Sequence, residues 1–311
     1  MNRFKNILFV ADQPGTQSES FHSALKLAKA NNASLSIMDV VEPMVWSAEN
    51  QARFGTDLSV ILRDRRLDEL NEMTSPHVDD EHMIRTHVGI GTHFLEVIRA
   101  TIRNKFDLVI KTAEKTQGFS TSTLGPNDQH LVRKCPCPVW IDREETTHPY
   151  KKILAAVDPI GDTDKGMARM ILDLAFSIQP DAEVHIANAW RMPGEESLRI
   201  GRARLPYQQF EDMLNDHKKR HEDAMNELLQ HYGLSTSDPN VHFEKNRATP
   251  LIADLAKRLP ADLVVTGTVG RTGIPGFFIG NTAESLMHIL EMPVMTVKPK
   301  SFVSPVTLID D

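Results

Sequence analysis

Short apolar runs alternate with amphipathic stretches along the whole chain. Residues 6–11, 34–41, 108–111 and 139–142 are mostly apolar and rich in β-branched side chains, a pattern that predicts strands, and a further strand is predicted near 83–87. Between them the apolar positions take helical spacing. Phe21, Ala24, Leu25 and Ala28 share one face of a helix predicted over about 20–29, and further helices are predicted near 57–73, 92–104 and 127–134. The order then begins again. Strands are predicted at 152–157, 183–189, 241–244, 263–266 and 294–298, with helices at 167–178, 207–232, 250–259 and 283–290. Strands alternating with amphipathic helices predict an α/β fold whose parallel sheet is covered on both faces.

The second half repeats the first. FKNILFVAD at 4–12 aligns with YKKILAAVD at 150–158, which sets Asp12 against Asp158. Further on, DLVI at 107–110 aligns with DLVV at 262–265, and CPVWI at 137–141 with MPVMT at 292–296. The offset grows from 146 to 155, so nine residues are inserted in the second copy. Matching Val40 to Ala189 places three of them earlier and the rest around 191–209. The polar segment REETTHP at 143–149 marks the boundary, giving domains at 1–142 and 150–300.

One stretch breaks the regularity. In residues 262–284, DLVVTGTVGRTGIPGFFIGNTAE, an apolar strand turns polar and glycine-rich at Gly267 and re-enters a helix near Asn281. Glycines let backbone N–H groups face a phosphate, and a helix N-terminus favours negative charge there. Asn281 followed by Glu284 has the spacing of a helix cap and its reciprocal partner. Neither G-x-x-x-x-G-K-S/T nor G-x-G-x-x-G fits this loop. A loop that is glycine-rich only to pack tightly is the plainer alternative.

Gly267, Gly270, nine intervening residues and then Gly280-Asn281-Thr282 resemble the G-x2-G-x9-G-S/T nucleotide loop of the universal stress protein family, with Asn281 in place of the Ser or Thr. The resemblance covers nearly the whole chain and is closest to the tandem, two-domain type. It implies two domains, each a five-stranded parallel open sheet flanked by helices in a Rossmann-like arrangement, packed as an internal pseudo-dimer. The final strands, 139–142 and 294–298, suit pairing within one chain, and a homodimer of whole chains is a further option. It also implies a ligand, ATP or a related adenine nucleotide, alone or with a divalent cation. The residues it assigns are Asp158 and Ala189 at the adenine–ribose end, and Thr266, Gly267, Val269, Gly270, Gly280, Asn281 and Thr282 around the phosphates. Asp158 also reads as a turn former before Pro159.

The first copy has lost this loop. Gly267 becomes Thr112, Gly270 becomes Lys115, and Gly280-Asn281-Thr282 becomes Gly125-Pro126-Asn127. Pro126 lacks an N–H, and Asp128 places a carboxylate in the first helical turn. One competent site per chain is expected, with Lys111 and Lys115 as solvated lysines.

Composition narrows the rest. A chain of 311 residues suits two domains, and 41% hydrophobic with 25% charged residues is ordinary for a soluble protein. A net charge of -7 gives no support to a nucleic-acid partner. No apolar run is long enough for a membrane span or signal segment, so a cytoplasmic protein is expected. Cys135 and Cys137 read as buried thiols, and no metal site is assigned. His217 and His221, four apart with Asp216 and Glu222 beside them, have a spacing that could bind a metal. No Glu lies between them, and they fall on the stripe of Phe210, Met213, Leu214, Met225 and Leu228, so a helix–helix contact is the preferred reading. No catalytic set surrounds the loop, so a binding role in a stress regulator is preferred to hydrolysis of ATP. Phe277 and Phe278 leave room for a third reading, a carrier of an amphiphilic phosphorylated metabolite.

Overall fold

The structure is a computed structural model that describes residues 3–11, 19–44, 57–78, 83–114, 124–143, 149–161, 166–201, 204–268 and 280–308. Its strands are β1 (Asn6–Val10), β2 (Ser34–Val41), β3 (Ile84–Ile90), β4 (Leu108–Thr112) and β5 (Val139–Asp142) in the first copy. In the second copy they are β6 (Lys152–Ala156), β7 (Glu183–Trp190), β8 (Val241–Lys245), β9 (Leu263–Gly267) and β10 (Val294–Val297). All ten form one sheet in the order β3-β2-β1-β4-β5-β10-β9-β6-β7-β8. Every pairing within a copy is parallel, and β5 meets β10 antiparallel, with Met295 opposite Trp140. Two parallel half-sheets joined by their last strands are the arrangement expected from the sequence.

Alternation along the strands sorts the core into two layers. Ile7, Phe9, Ile153 and Ala155 face one side of the sheet, packed with helices α1 (Glu19–Asn31), α2 (Leu58–Thr74) and α5 (Met167–Ile178). Leu8, Val10, Leu154 and Val264 face the other, under α3 (His93–Asn104), α4 (Pro126–Lys134), α8 (Ala248–Arg258) and α9 (Asn281–Ile289). Leu154, Ile153 and Val264 are fully buried, each contributing about 1.5–3 kcal/mol of transfer free energy. The inserted segment of the second copy carries a short helix, α6 (Glu195–Arg199), which the pattern did not reveal, and the start of α7 (Tyr207–Gln230).

Two cations brace the seam between the copies. Arg143 Nη2 donates to the Leu290 carbonyl at 3.1 Å, and Lys298 Nζ, at the equivalent position of the second copy, donates to the Arg133 carbonyl at 3.0 Å. Each side chain thus caps the last helix of the other copy by donating to a carbonyl at its C-terminal end. This corrects the reading of residue 143 as the start of a polar linker, because Arg143 is buried. The tail after β10 carries no motif, yet it folds back over the first copy. Phe302 lies 4.4 Å beneath Lys298 Nζ, and Ser304 Oγ donates to the Lys134 carbonyl at 2.7 Å.

Candidate functional site

The register brings the sequence-predicted residues to one rim. Ala156 on β6 lies opposite both Ala187 on β7 and Thr266 on β9. Two residues further on, Asp158 and Thr268 have left the sheet beside Ala189, the next-to-last residue of β7, at the carboxyl ends of the three strands. From β6 the chain continues outward to β7, and from β9 outward to β10 in the opposite direction. A crevice opens where such a parallel sheet changes direction, between β6 and β9.

The base of the glycine loop is closed by the backbone. Thr268 N–H donates to the Val297 carbonyl at 3.0 Å, and Gly280 N–H donates to the Thr268 carbonyl at 2.5 Å. These bonds hold the start of α9 against the end of β9, although residues 269–279, with Val269, Gly270, Arg271, Phe277 and Phe278, lie outside the described residues. Of the amides expected to face an anion, that of Gly280 is turned inward. Those of Thr282 and Ala283, in the first turn of α9, meet no acceptor among the described residues. Gly267 has a packing requirement of its own: a Cβ there would lie 2.9 Å from both Sδ and Cε of Met167.

Gly280, not Asn281, is the N-cap of α9, and Asn281 is its first helical residue. The expected capping pair with Glu284 is therefore absent. Glu284 points to the other copy and pairs with Arg133. At the opposite end of the crevice, Asp158 is half-buried and its Oδ1 accepts from Gly161 N–H at 2.9 Å, the turn-forming contact. Ala189 is half-buried on the same rim. Asn188, which the sequence reading passed over, is buried beside it, and its Nδ2 donates to the Val157 carbonyl at 2.8 Å. An amide side chain in the apolar strand 183–189 was the available signal.

The first copy fills the same region with its own groups. Lys111 occupies the position of Thr266 and Asp128 that of Ala283, and the two form an ion pair of 2.8 Å in which both side chains are fully buried. This corrects the expectation that Lys111 is solvated; Lys115 lies outside the described residues, as does Asp12. Burial pushes the Asp128 carboxyl up, against the pull of the Lys111 ammonium. Glu114, at the position of Val269, folds over the N-terminus of α4. Its Oε2 accepts from Asn127 N–H at 3.2 Å and its Oε1 from Asn127 Nδ2 at 2.6 Å. A Cβ at Gly125 would overlap that carboxylate. A carboxylate of the chain itself thus sits where a helix N-terminus attracts an anion.

The remaining candidates are elsewhere. Cys135 and Cys137 are free, buried thiols with their sulfurs 3.7 Å apart. His217 and His221 lie on α7 with their rings beside Trp190 of β7, while α7 also touches the helix α6, and Met225 and Leu228 of the same stripe share a core cluster with Leu172 and Ala175 of α5. Among the described residues no three His, Cys, Asp or Glu side chains converge on a metal-sized site.

Comparison with known proteins bears on the same geometry. The universal stress protein family model matches the chain twice, over residues 3–143 and 149–298. The chain belongs to the universal stress protein family. It is 31% identical to universal stress protein E of Escherichia coli K12 over 224 residues, which are 70% of this chain and 69% of that protein. It is 25% identical to the universal stress protein E homolog of Haemophilus influenzae over 96% of this chain and 98% of that one. Two solved structures share the fold along nearly the full length. A functionally unknown protein from Pseudomonas aeruginosa PAO1 superposes with a TM-score of 0.70 at 24% identity, covering 96% of this chain and 94% of that one. A universal stress protein from Archaeoglobus fulgidus does so with a TM-score of 0.62 at 16% identity, covering 96% and 99%. As a tandem universal stress protein, the chain carries two versions of one rim that differ in what fills them. No helix among its described residues is long and apolar enough to cross a membrane.

Proposed function

We propose that the second copy holds ATP or a related adenine nucleotide and that the chain acts in the stress response as a ligand-responsive binding module in the cytoplasm. The observation that supports this most is the contrast at the two helix N-termini. In the first copy Glu114 and Asp128 supply the negative charge, while in the second the first-turn amides of Thr282 and Ala283 meet no acceptor among the described residues. The phosphates lie against Gly267, Val269, Gly270, Gly280, Asn281 and Thr282, with Thr266 at the floor. Asp158 and Ala189 flank the adenine–ribose end across the crevice. Binding here needs no catalytic group, and among the described residues the rim offers no base placed for hydrolysis beyond Asp158, whose Oδ1 already closes a turn.

Thermal unfolding of the full chain with and without ATP tests the reading. ATP is expected to raise the midpoint, and Gly270→Val to abolish the rise, while Lys115→Ala leaves it intact. A rise that survives Gly270→Val and disappears with Lys115→Ala overturns the assignment. Native mass spectrometry of the protein as purified identifies any retained ligand and separates a nucleotide from an amphiphilic phosphorylated metabolite.

A further inference from the structure

His217 and His221 are one helical turn apart on α7 and direct the same ring nitrogen to the same point. Their Nε2 atoms are 3.1 Å apart, and His217 Nε2 is also 3.2 Å from the Arg191 carbonyl oxygen, just beyond the end of β7. A shared proton does not satisfy this triangle well. If His217 Nε2 carries the hydrogen, one N–H must serve two acceptors. If His221 carries it, the lone pair of His217 Nε2 faces the Arg191 oxygen. A cation at the centre resolves both cases, because all three atoms then present lone pairs to it.

The spacing fits an ion. With metal–nitrogen bonds of about 2.0–2.1 Å, two imidazoles lie about 3.3 Å apart in a tetrahedral site and about 2.9 Å apart in neighbouring octahedral positions. The observed separation lies between the two. Two histidines four residues apart on a helix face are also the spacing by which helices present paired imidazoles to zinc. Trp190 packs beside both rings, with centroids at 6.5 Å and 6.4 Å, and Phe243 stacks on Trp190 at 6.1 Å. This apolar floor fixes the rings from below. His221 is buried and His217 is half-exposed, which leaves a side for water ligands and for the ion to enter.

We propose that His217 Nε2, His221 Nε2 and the Arg191 carbonyl bind a divalent transition-metal cation of the kind imidazole prefers, Zn²⁺ or Cu²⁺, with water completing the shell. The site is separate from the glycine loop and does not depend on nucleotide binding. A second histidine pair, His185 and His242, is the natural rival. Its nitrogens are 3.2 Å apart, but it offers no third donor among the described residues, and His185 Nε2 faces Glu183.

Calorimetric titration of the tag-free full chain with Zn²⁺ tests the site, together with electron paramagnetic resonance of the Cu²⁺ form. One ion per chain is expected, with nitrogen hyperfine structure from two imidazoles. His217→Gln, which changes a half-exposed side chain, should remove that binding while circular dichroism stays unchanged. His185→Gln should leave it in place. Failure of the natural chain to bind either ion, binding that persists in His217→Gln, or binding lost in His185→Gln overturns the proposal.

Discussion

Lys111 and Asp128 form an ion pair of 2.8 Å with no solvent exposure, at the positions where the second copy has Thr266 and Ala283. Two copies of one fold thus fill the same region by opposite means, one with opposed charges and the other with short side chains. The pair is held by further bonds, since Asp128 Oδ2 accepts from Glu114 N–H at 2.8 Å and Lys111 Nζ donates to the Thr112 carbonyl at 3.1 Å. Removing either partner strands a buried charge. Lys111→Met or Asp128→Leu alone should each cost about 3–5 kcal/mol, and the double variant clearly less than either. Chemical denaturation of the four proteins measures the coupling; additive losses would show that the pair does not act as a unit.

Glu114 stabilises the first turn of α4 through its two bonds to Asn127. Glu114→Ala should lower stability by about 1 kcal/mol, the usual effect of losing a carboxylate cap. The change lies in the first copy, so any protection by ATP should be unaltered. Loss of that protection in Glu114→Ala would move the nucleotide to the wrong domain for the proposal.

A side chain at Gly267 obliges the flexible end of Met167 to move, because Sδ and Cε stand 2.9 Å from where its Cβ would lie. Gly267→Ala should therefore destabilise the ligand-free chain by at most about 1 kcal/mol, the low end of overpacking costs. Met167 is the end of a flexible side chain, so adding Met167→Ala should return part of that loss. A neutral Gly267→Ala would mean that the Met167 side chain moves aside without loss.

Lys298 gives the seam a dependence on pH. Burial drives its ammonium down to about 7, below its unfolded value of about 10.4, with negative charge at the Cys135 sulfur opposing the shift. A depressed pKa means that the folded state releases a proton the unfolded chain keeps. Stability from this group is therefore lowest below pH 7 and increases between pH 7 and 10. Lys298→Met removes the titration. Its stability relative to the natural chain should fall by roughly 1 kcal/mol per pH unit across that window. A difference that stays flat would place Lys298 in contact with water.

Much of the architecture was legible because burial imposes a period. The apolar runs at 34–41 and 139–142 became strands with those bounds, and the helix at 167–178 likewise. The seam was legible from the repeat, since both final strands are apolar and end their copies. What stayed hidden involves partners distant in sequence. Lys111 reads as solvated because nothing near it announces Asp128, and Arg143 reads as linker because its acceptor, the Leu290 carbonyl, belongs to the other copy. Glu284 has the spacing of a cap partner, but the Arg133 guanidinium across the seam holds it instead. The histidine stripe was visible, yet periodicity does not say whether a strand or a helix lies beneath it. Of the site itself, Asp158, Ala189, Thr266, Gly267, Gly280 and Thr282 were found on one rim, while Val269 and Gly270 fall outside the described residues.

The antiparallel junction of β5 and β10 has a consequence for how this molecule can change. In a dimer of identical chains every substitution is made twice, so a lysine gained by one half is imposed on the other. Here the two halves are encoded separately and joined by a strand pair that neither can leave. One half carries the buried salt link of Lys111 and Asp128, while its twin has Thr266 and Ala283 at those positions. Encoding both halves in one chain lets them differ, and these two do.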